Sequence, residues 1–219
     1  EILRCLVGSE MCIRDRLVYW CKAPAYCDDL PQHYTRYSVT CYKEAPRVNY
    51  ATIKYCDIAN GTGVRTSLFV SGCRRHCPEC FNAVAWDFGY GLPFDKAVRS
   101  EILGSLAPDY IDGLSLLGGE PFEPENQRAL VPFLHEVRVL YPHKTIWCYT
   151  GNVYETELLQ PSHARCEVTD EMLSLIDVLV DGPFVTELHD ISLLFKGSSN
   201  QRVIDCAEYC RSGEIRELM

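Results

Sequence analysis

The sequence predicts an α/β fold with a mostly parallel sheet, and three observations predict it. Four strand-length apolar or aromatic runs each end at a glycine: RTSLFVSG (65–72), LSLLGG (114–119), TIWCYTG (145–151) and IDVLVDG (176–182). Stretches with helical spacing lie between them. LSLL and DVLV are continuous rather than alternating in apolar character, the pattern of strands covered on both faces. Strands alternating with helices build βα units and hence parallel pairing.

The first helix is placed after Asp95, a residue suited to an N-cap, with Val98, Ile102 and Leu106 forming one apolar stripe. A second stripe comprises Leu130, Phe133, Leu134, Val137 and Tyr141; Pro132 inside it implies a helix that starts late or is kinked. Thr169 reads as the cap of a third helix. Asp170 and Glu171 occupy its first turn, where the helix dipole favours them, and Met172, Leu173 and Ile176 its buried side.

The chain of 219 residues is long enough for one sizeable core, and its 47% apolar and 23% charged composition is that of a globular protein. No apolar run approaches the ~18 residues of a membrane span, and no export signal is recognisable. A formal charge of −9 disfavours nucleic acid and anionic membranes as partners, since both ask for a basic face. Thirteen cysteines without an export signal point to a reducing cytoplasm and to metal binding rather than a disulfide framework.

Residues 1–47 lack a sustained period, and VGSEMCIRDR resembles translated sequencing-adapter text. Residues 1–47 are therefore read as an artefactual or unstructured extension, residues 1–16 as the artefact itself. The natural start is placed near Val48, at a GTG codon. The core domain is placed at 48–205, followed by a tail at 206–219.

In sheets of this kind the site forms at the carboxyl ends of the strands. Each unusual feature here follows a strand: the cysteines after LFVSG, GGEP after LSLL, YTG after TIWC and DGPF after DVLV. In CRRHCPEC, Cys73, Cys77 and Cys80 form the one tight thiol trio. A structural zinc site needs a fourth ligand, normally from a second knuckle downstream. An iron–sulfur cubane held by three thiolates instead leaves one iron open for a substrate or cofactor. The trio alone leaves cluster, zinc and incidental readings open. Gly118 and Gly119 permit close backbone approach, and Glu120 offers an acceptor for an ammonium group. The scattered Cys56, Cys148 and Cys166 read as small buried hydrophobes, whereas Cys206 and Cys210 sit near the end, far from the trio and after the last strand.

CRRHCPEC fits a C-x3-C-x2-C pattern and, with GGEP, resembles the radical S-adenosylmethionine superfamily. Within it, DIANGTGVRTSLFVSGC (57–73), GLSLLGGEPFEPEN (113–126), IWCYTG, DVLVDGPFV and FKGSSNQRVID (195–205) resemble the activating proteins of anaerobic ribonucleotide reductase. These segments span most of 48–205.

The resemblance implies a partial (β/α) TIM-like barrel of the radical SAM type. It implies a [4Fe–4S] cluster on Cys73, Cys77 and Cys80. S-adenosylmethionine would lie against Glu79, Cys80 and Phe81 and against Gly118, Gly119 and Glu120. The implied reaction is one-electron cleavage of S-adenosylmethionine, followed by hydrogen removal from a glycine of the reductase's large subunit. No catalytic side chain is expected, and the electron would come from flavodoxin or a similar reductant. Glu79 departs from the superfamily pattern, in which that position is often aromatic. Activation of another glycyl-radical enzyme, or a non-enzymatic iron–sulfur or zinc module, are the alternative readings; GSSNQRVID favours the reductase.

NGTG (60–63) reads as a turn rather than a phosphate loop, because no strand precedes it and no Lys follows. The resemblance places Arg65 at a partner face. Arg74 and Arg75 are read as contacts to the reductase in preference to solvated side chains. Asp181 and Thr150 either line the cofactor pocket or cap strand ends.

Overall fold

The computed structural model describes residues 47–219; the readings of residues 1–46, including Cys5, Cys12, Cys21, Cys27 and Cys41, lie outside the described residues. The strands are β1 (Asn49–Asp57), β2 (Arg65–Val70), β3 (Leu92–Pro93), β4 (Gly113–Gly118), β5 (Thr145–Tyr149), β6 (Val178–Asp181) and β7 (Arg202–Asp205). They form one sheet in the order β3-β1-β2-β4-β5-β6-β7. The four central strands β2, β4, β5 and β6 pair in parallel, as their continuous apolar runs predict. Antiparallel pairings flank them: β1 with β2, β3 with β1, and β7 with β6. The two edge strands β3 and β7 do not pair, so the sheet is open rather than a closed barrel.

Among the described residues four α-helices accompany the strands: α1 (Lys96–Ser105), α2 (Pro124–Leu140), α3 (Thr169–Ser174) and α4 (Cys206–Ser212). The Asp95 carboxylate caps α1, accepting from the Ala97 and Val98 amides at 2.9 and 3.1 Å. Ile102, Leu106, Leu130, Phe133, Leu134 and Val137 are completely buried, so both apolar stripes reach the core. Trp147, Val178, Val180 and Val203 cluster together, with Tyr149 and Phe195 packed against them. Trp147 and Tyr149 alternate along β5 with the buried Ile146 and Cys148, so the sheet has apolar side chains on both faces.

Three local expectations change. Helix α2 neither starts at nor is shortened by Pro132; it begins at Pro124 in its first turn, where a missing N–H costs nothing, and runs through Pro132. The interior proline leaves the Arg128 carbonyl without its helical donor, a loss offset by the packing of Leu130, Phe133 and Leu134. Thr169 is the first residue of α3 rather than its cap; its hydroxyl donates to Gln127 Oε1 at 2.7 Å and ties α3 to α2. NGTG is a turn, as expected, but strand β1 does precede it.

Arg65 lies at the opposite end of the sheet from the cysteines, at the start of β2, and is 0% exposed. Its guanidinium donates to the Leu114 carbonyl (2.8 Å), Ser115 Oγ (2.7 Å), the Thr62 carbonyl (3.1 Å) and both the carbonyl and hydroxyl of Thr145 (2.8 and 2.9 Å). Burial pushes its pKa down to about 10. It joins the amino ends of β2, β4 and β5 and cannot present itself to a partner.

Candidate cluster site at the carboxyl edge of the sheet

Parallel register sets the carboxyl ends side by side. Val70 pairs with Gly118, and Tyr149 with Val180. The backbone continues this line past the strands. Gly119 N–H donates to the Val70 carbonyl (2.7 Å), Glu120 N–H to that of Gly72 (2.9 Å) and Thr150 N–H to that of Val180 (2.8 Å). GGEP therefore hydrogen-bonds to the base of the cysteine loop itself. A Cβ at Gly119 would stand 2.6 Å from the Gly72 carbonyl oxygen and 2.9 Å from that of Ala85. Gly119 has no side chain because the cysteine loop passes over it. The left-handed position is its neighbour Gly118, at φ 111°.

The cysteine loop leaves the sheet at Gly72 and is closed by its own return, Gly72 and Cys73 donating to the Ala85 and Trp86 carbonyls at 2.8 and 3.1 Å. Inside it His76 and Glu79 adopt left-handed conformations, φ 48° and 55°, a strain that non-glycine residues tolerate only when the surroundings impose it. The His76 ring stacks on Trp86 with centroids 4.6 Å apart. Cys73 is buried, Cys77 and Cys80 are half-buried, and all three are free. Burial raises the Cys73 thiol to about 11, with the nearby Glu120 and Glu123 charges adding to it. Glu79 is exposed and Phe81 is 84% exposed, so this pair sits on the outer rim of the loop.

Both arginines of the loop are engaged within the chain, Arg74 with its side chain half exposed and Arg75 more deeply set. Arg74 pairs with Glu123 and with Glu125 (2.7 Å), lies over the Phe88 ring at 4.3 Å, and donates its backbone N–H to Glu123 at 2.7 Å. Arg75 pairs with Glu157 at 2.9 Å. The carboxylate of Glu120, 3% exposed, accepts from the amides of Phe122 (2.9 Å) and Gly151 (2.8 Å) and from the Thr150 hydroxyl (2.8 Å). It thus binds the β4 turn to the end of β5. Burial pushes its pKa up to about 7 against the pull of those three donors and of Arg75. Thr150 serves as a strand-end tie. So does Asp181, which pairs with Arg202 at 2.5 Å and accepts from the Tyr154 amide at 2.9 Å.

Among the described residues no three His, Cys, Asp or Glu side chains close on one point as a mononuclear metal site requires. A cubane makes a different demand, since each cysteine holds a separate iron. Three free thiols on one closed loop match that donor chemistry. A second observation fits a bound group at this edge. Of the seven buried side-chain polar atoms without a partner among the described residues, five belong to Ser71, Arg75, Trp86, Asn126 and Asn152, all beyond the ends of β2, β4 and β5. Of the scattered cysteines, Cys148 is buried as expected, Cys166 is half-buried and Cys56 is exposed; in the tail Cys206 is buried and Cys210 exposed.

Sequence reasoning missed Glu123, Asn126 and Glu157, which hold the loop and the turn. Two of them stand in FEPEN, directly after GGEP, where polar residues entering a helix interrupt an otherwise apolar environment.

Comparison with known proteins agrees with this geometry. Residues 59–204 match the family model of a 4Fe-4S single cluster domain. The chain is 42% identical over 158 residues to the anaerobic ribonucleoside-triphosphate reductase-activating protein of Escherichia coli K12, covering 71% of this chain and 97% of that protein. The protein of the same name from Pasteurella multocida is 39% identical over 164 residues, covering 74% of this chain and all of the relative. That of enterobacteria phage T4 is 35% identical over 156 residues, with 71% and 93% covered. With a cysteine loop seated on a glycine-rich turn, and such relatives matched over nearly their whole length, the chain belongs to the family of anaerobic ribonucleoside-triphosphate reductase-activating proteins and carries their 4Fe-4S single cluster domain.

Proposed function

We propose that this protein activates anaerobic ribonucleoside-triphosphate reductase by reductive cleavage of S-adenosylmethionine at a [4Fe–4S] cluster, leaving a glycyl radical on the reductase's large subunit. The observation that carries the reading is the pair of backbone hydrogen bonds from Gly119 and Glu120 to Val70 and Gly72, which seat the cysteine loop on the glycine-rich turn. In this reading Cys73, Cys77 and Cys80 hold the cluster, and Glu79, Cys80, Phe81, Gly118, Gly119 and Glu120 bound the S-adenosylmethionine site. When bound, the cluster and S-adenosylmethionine supply the electron-transfer and radical chemistry. The chain's own residues position and enclose. Glu123 and Arg74 hold the loop's first turn, Glu120 holds Thr150 and Gly151, and Arg75 with Glu157 closes the β5 side.

The open sheet acts as a partial (β/α) barrel with its carboxyl edge as the mouth, and Phe81 and Val84, both exposed, stand at that mouth facing the reductase. Flavodoxin or a similar low-potential carrier supplies the electron. The eight described cysteines are all free, which fits work in an oxygen-poor cytoplasm.

The test is ligand count. After anaerobic reconstitution, Cys73→Ala, Cys77→Ala and Cys80→Ala should each lose the cluster. Substitution of Cys56, Cys148, Cys166, Cys206 or Cys210 should leave iron per chain intact, with a cluster spectrum that changes on adding S-adenosylmethionine. Iron that depends on any of those five would sink the open-iron reading.

A further inference from the structure

We infer that Asn126 is a positioning residue for cofactor binding, a side-chain strap that keeps the cysteine loop and the glycine-rich turn in one register. The inference rests on the reading of the site proposed above. Asn126 lies in the first turns of α2, is 0% exposed, and points back at the carboxyl edge. Its Nδ2 donates to two carbonyls at once: that of Ser71, two residues before Cys73, at 3.0 Å, and that of Glu120 at 2.9 Å. Those two carbonyls also fix the orientation of the amide, because a flipped side chain would set its oxygen against two other oxygens. The Oδ1 atom is consequently left buried without a partner, a standing cost that a purely structural amide would avoid.

The adjacent residue supplies the contrast. Gln127 is also 0% exposed, and it uses both ends. Its Nε2 donates to the Phe122 and Ala164 carbonyls at 2.7 and 2.6 Å, and its Oε1 accepts from Thr169 at 2.7 Å. Gln127 ties α2 to the segments leading into α3, whereas Asn126 ties together the two halves of the site. Two neighbouring buried amides thus divide scaffold from site.

That division defines the experiment. Asn126→Leu, with Asn126→Ala as the second variant should the larger side chain not fit, is compared with Gln127→Leu and the unaltered protein. Melting of the apoprotein should fall in both positions' variants, and at least as far for Gln127→Leu, which loses more hydrogen bonds. In the apoprotein the Gly119 and Glu120 amides should exchange hydrogen faster in the Asn126 variants alone. S-adenosylmethionine affinity, measured per loaded cluster under argon, should weaken by about tenfold or more in the Asn126 variants, the scale of one to two lost hydrogen bonds. It should stay within about twofold in Gln127→Leu. Unchanged affinity in a folded Asn126 variant, or an equal loss in Gln127→Leu, would overturn the inference. Unaltered protein that holds its cluster yet binds no S-adenosylmethionine would overturn the reading of the site instead.

Discussion

Glu120 shows how a single residue changes meaning between sequence and structure. As a letter in GGEP it is an acceptor free for an ammonium group. In the fold its two oxygens are already used by Phe122, Thr150 and Gly151. Facing it are Arg75 from the cysteine loop and the thiols of Cys73 and Cys148. Its carboxyl holds a proton to about pH 7 in the folded chain, against an ordinary value of 4.5. A raised folded value means the folded state binds the proton more tightly, so this contribution to stability is full below pH 4.5 and lost as pH rises through 7. Denaturant titrations of the apoprotein between pH 4.5 and 8 should therefore show a decline of up to about 3 kcal/mol that Glu120→Gln lacks. A slope identical in the two proteins would remove Glu120 as its source.

Between β6 and β7 the deciding feature is again a buried charge. Asp181 is 1% exposed and ends β6; Arg202 opens β7 and pairs with both Asp181 and Glu155, the latter at 2.6 Å. The ion pair thus registers an antiparallel edge strand and anchors the turn at Tyr154–Leu158, whose Glu157 in turn holds Arg75. Arg202→Leu should cost roughly 3 kcal/mol in urea unfolding, because it leaves a buried carboxylate uncompensated. Asp181→Asn combined with Arg202→Leu should recover much of that loss. If the double variant is no more stable than the single one, the stranded charge is not the cause. Neither β7 nor helix α4 was legible in sequence, since RVID is only four residues long and its apolar pair, Val203 and Ile204, becomes a strand only by pairing with Leu179 and Val180. The same holds for α2, where packing of its buried face overrides the local objection of Pro132.

At the scale of the molecule, the described sheet begins at Asn49, just after a buried Val48 whose carbonyl accepts from the Phe94 amide at 2.9 Å. We propose that residues 1–47 take no part in the working domain. A chain beginning at Val48 should match the full chain in melting temperature within a few degrees and in iron per chain after reconstitution. Loss of either would show that the segment contributes.

What the sequence by itself determined was the set of central strands and the chemistry of their ends. Continuous apolar runs ending in glycine, and three thiols followed 38 residues later by GGEP, are local patterns that survive without knowledge of neighbours. What only the tertiary structure decided was how those ends are held. Glu123, Asn126, Thr150 and Glu157 act on residues 30 to 82 positions away. Arg65, which looks like a surface contact by resemblance, is drawn 0% exposed into the amino end of the sheet. Burial and hydrogen-bond partnership are properties of the folded arrangement, and a short-range pattern in a chain has no means of encoding which distant carbonyl or carboxylate will stand opposite.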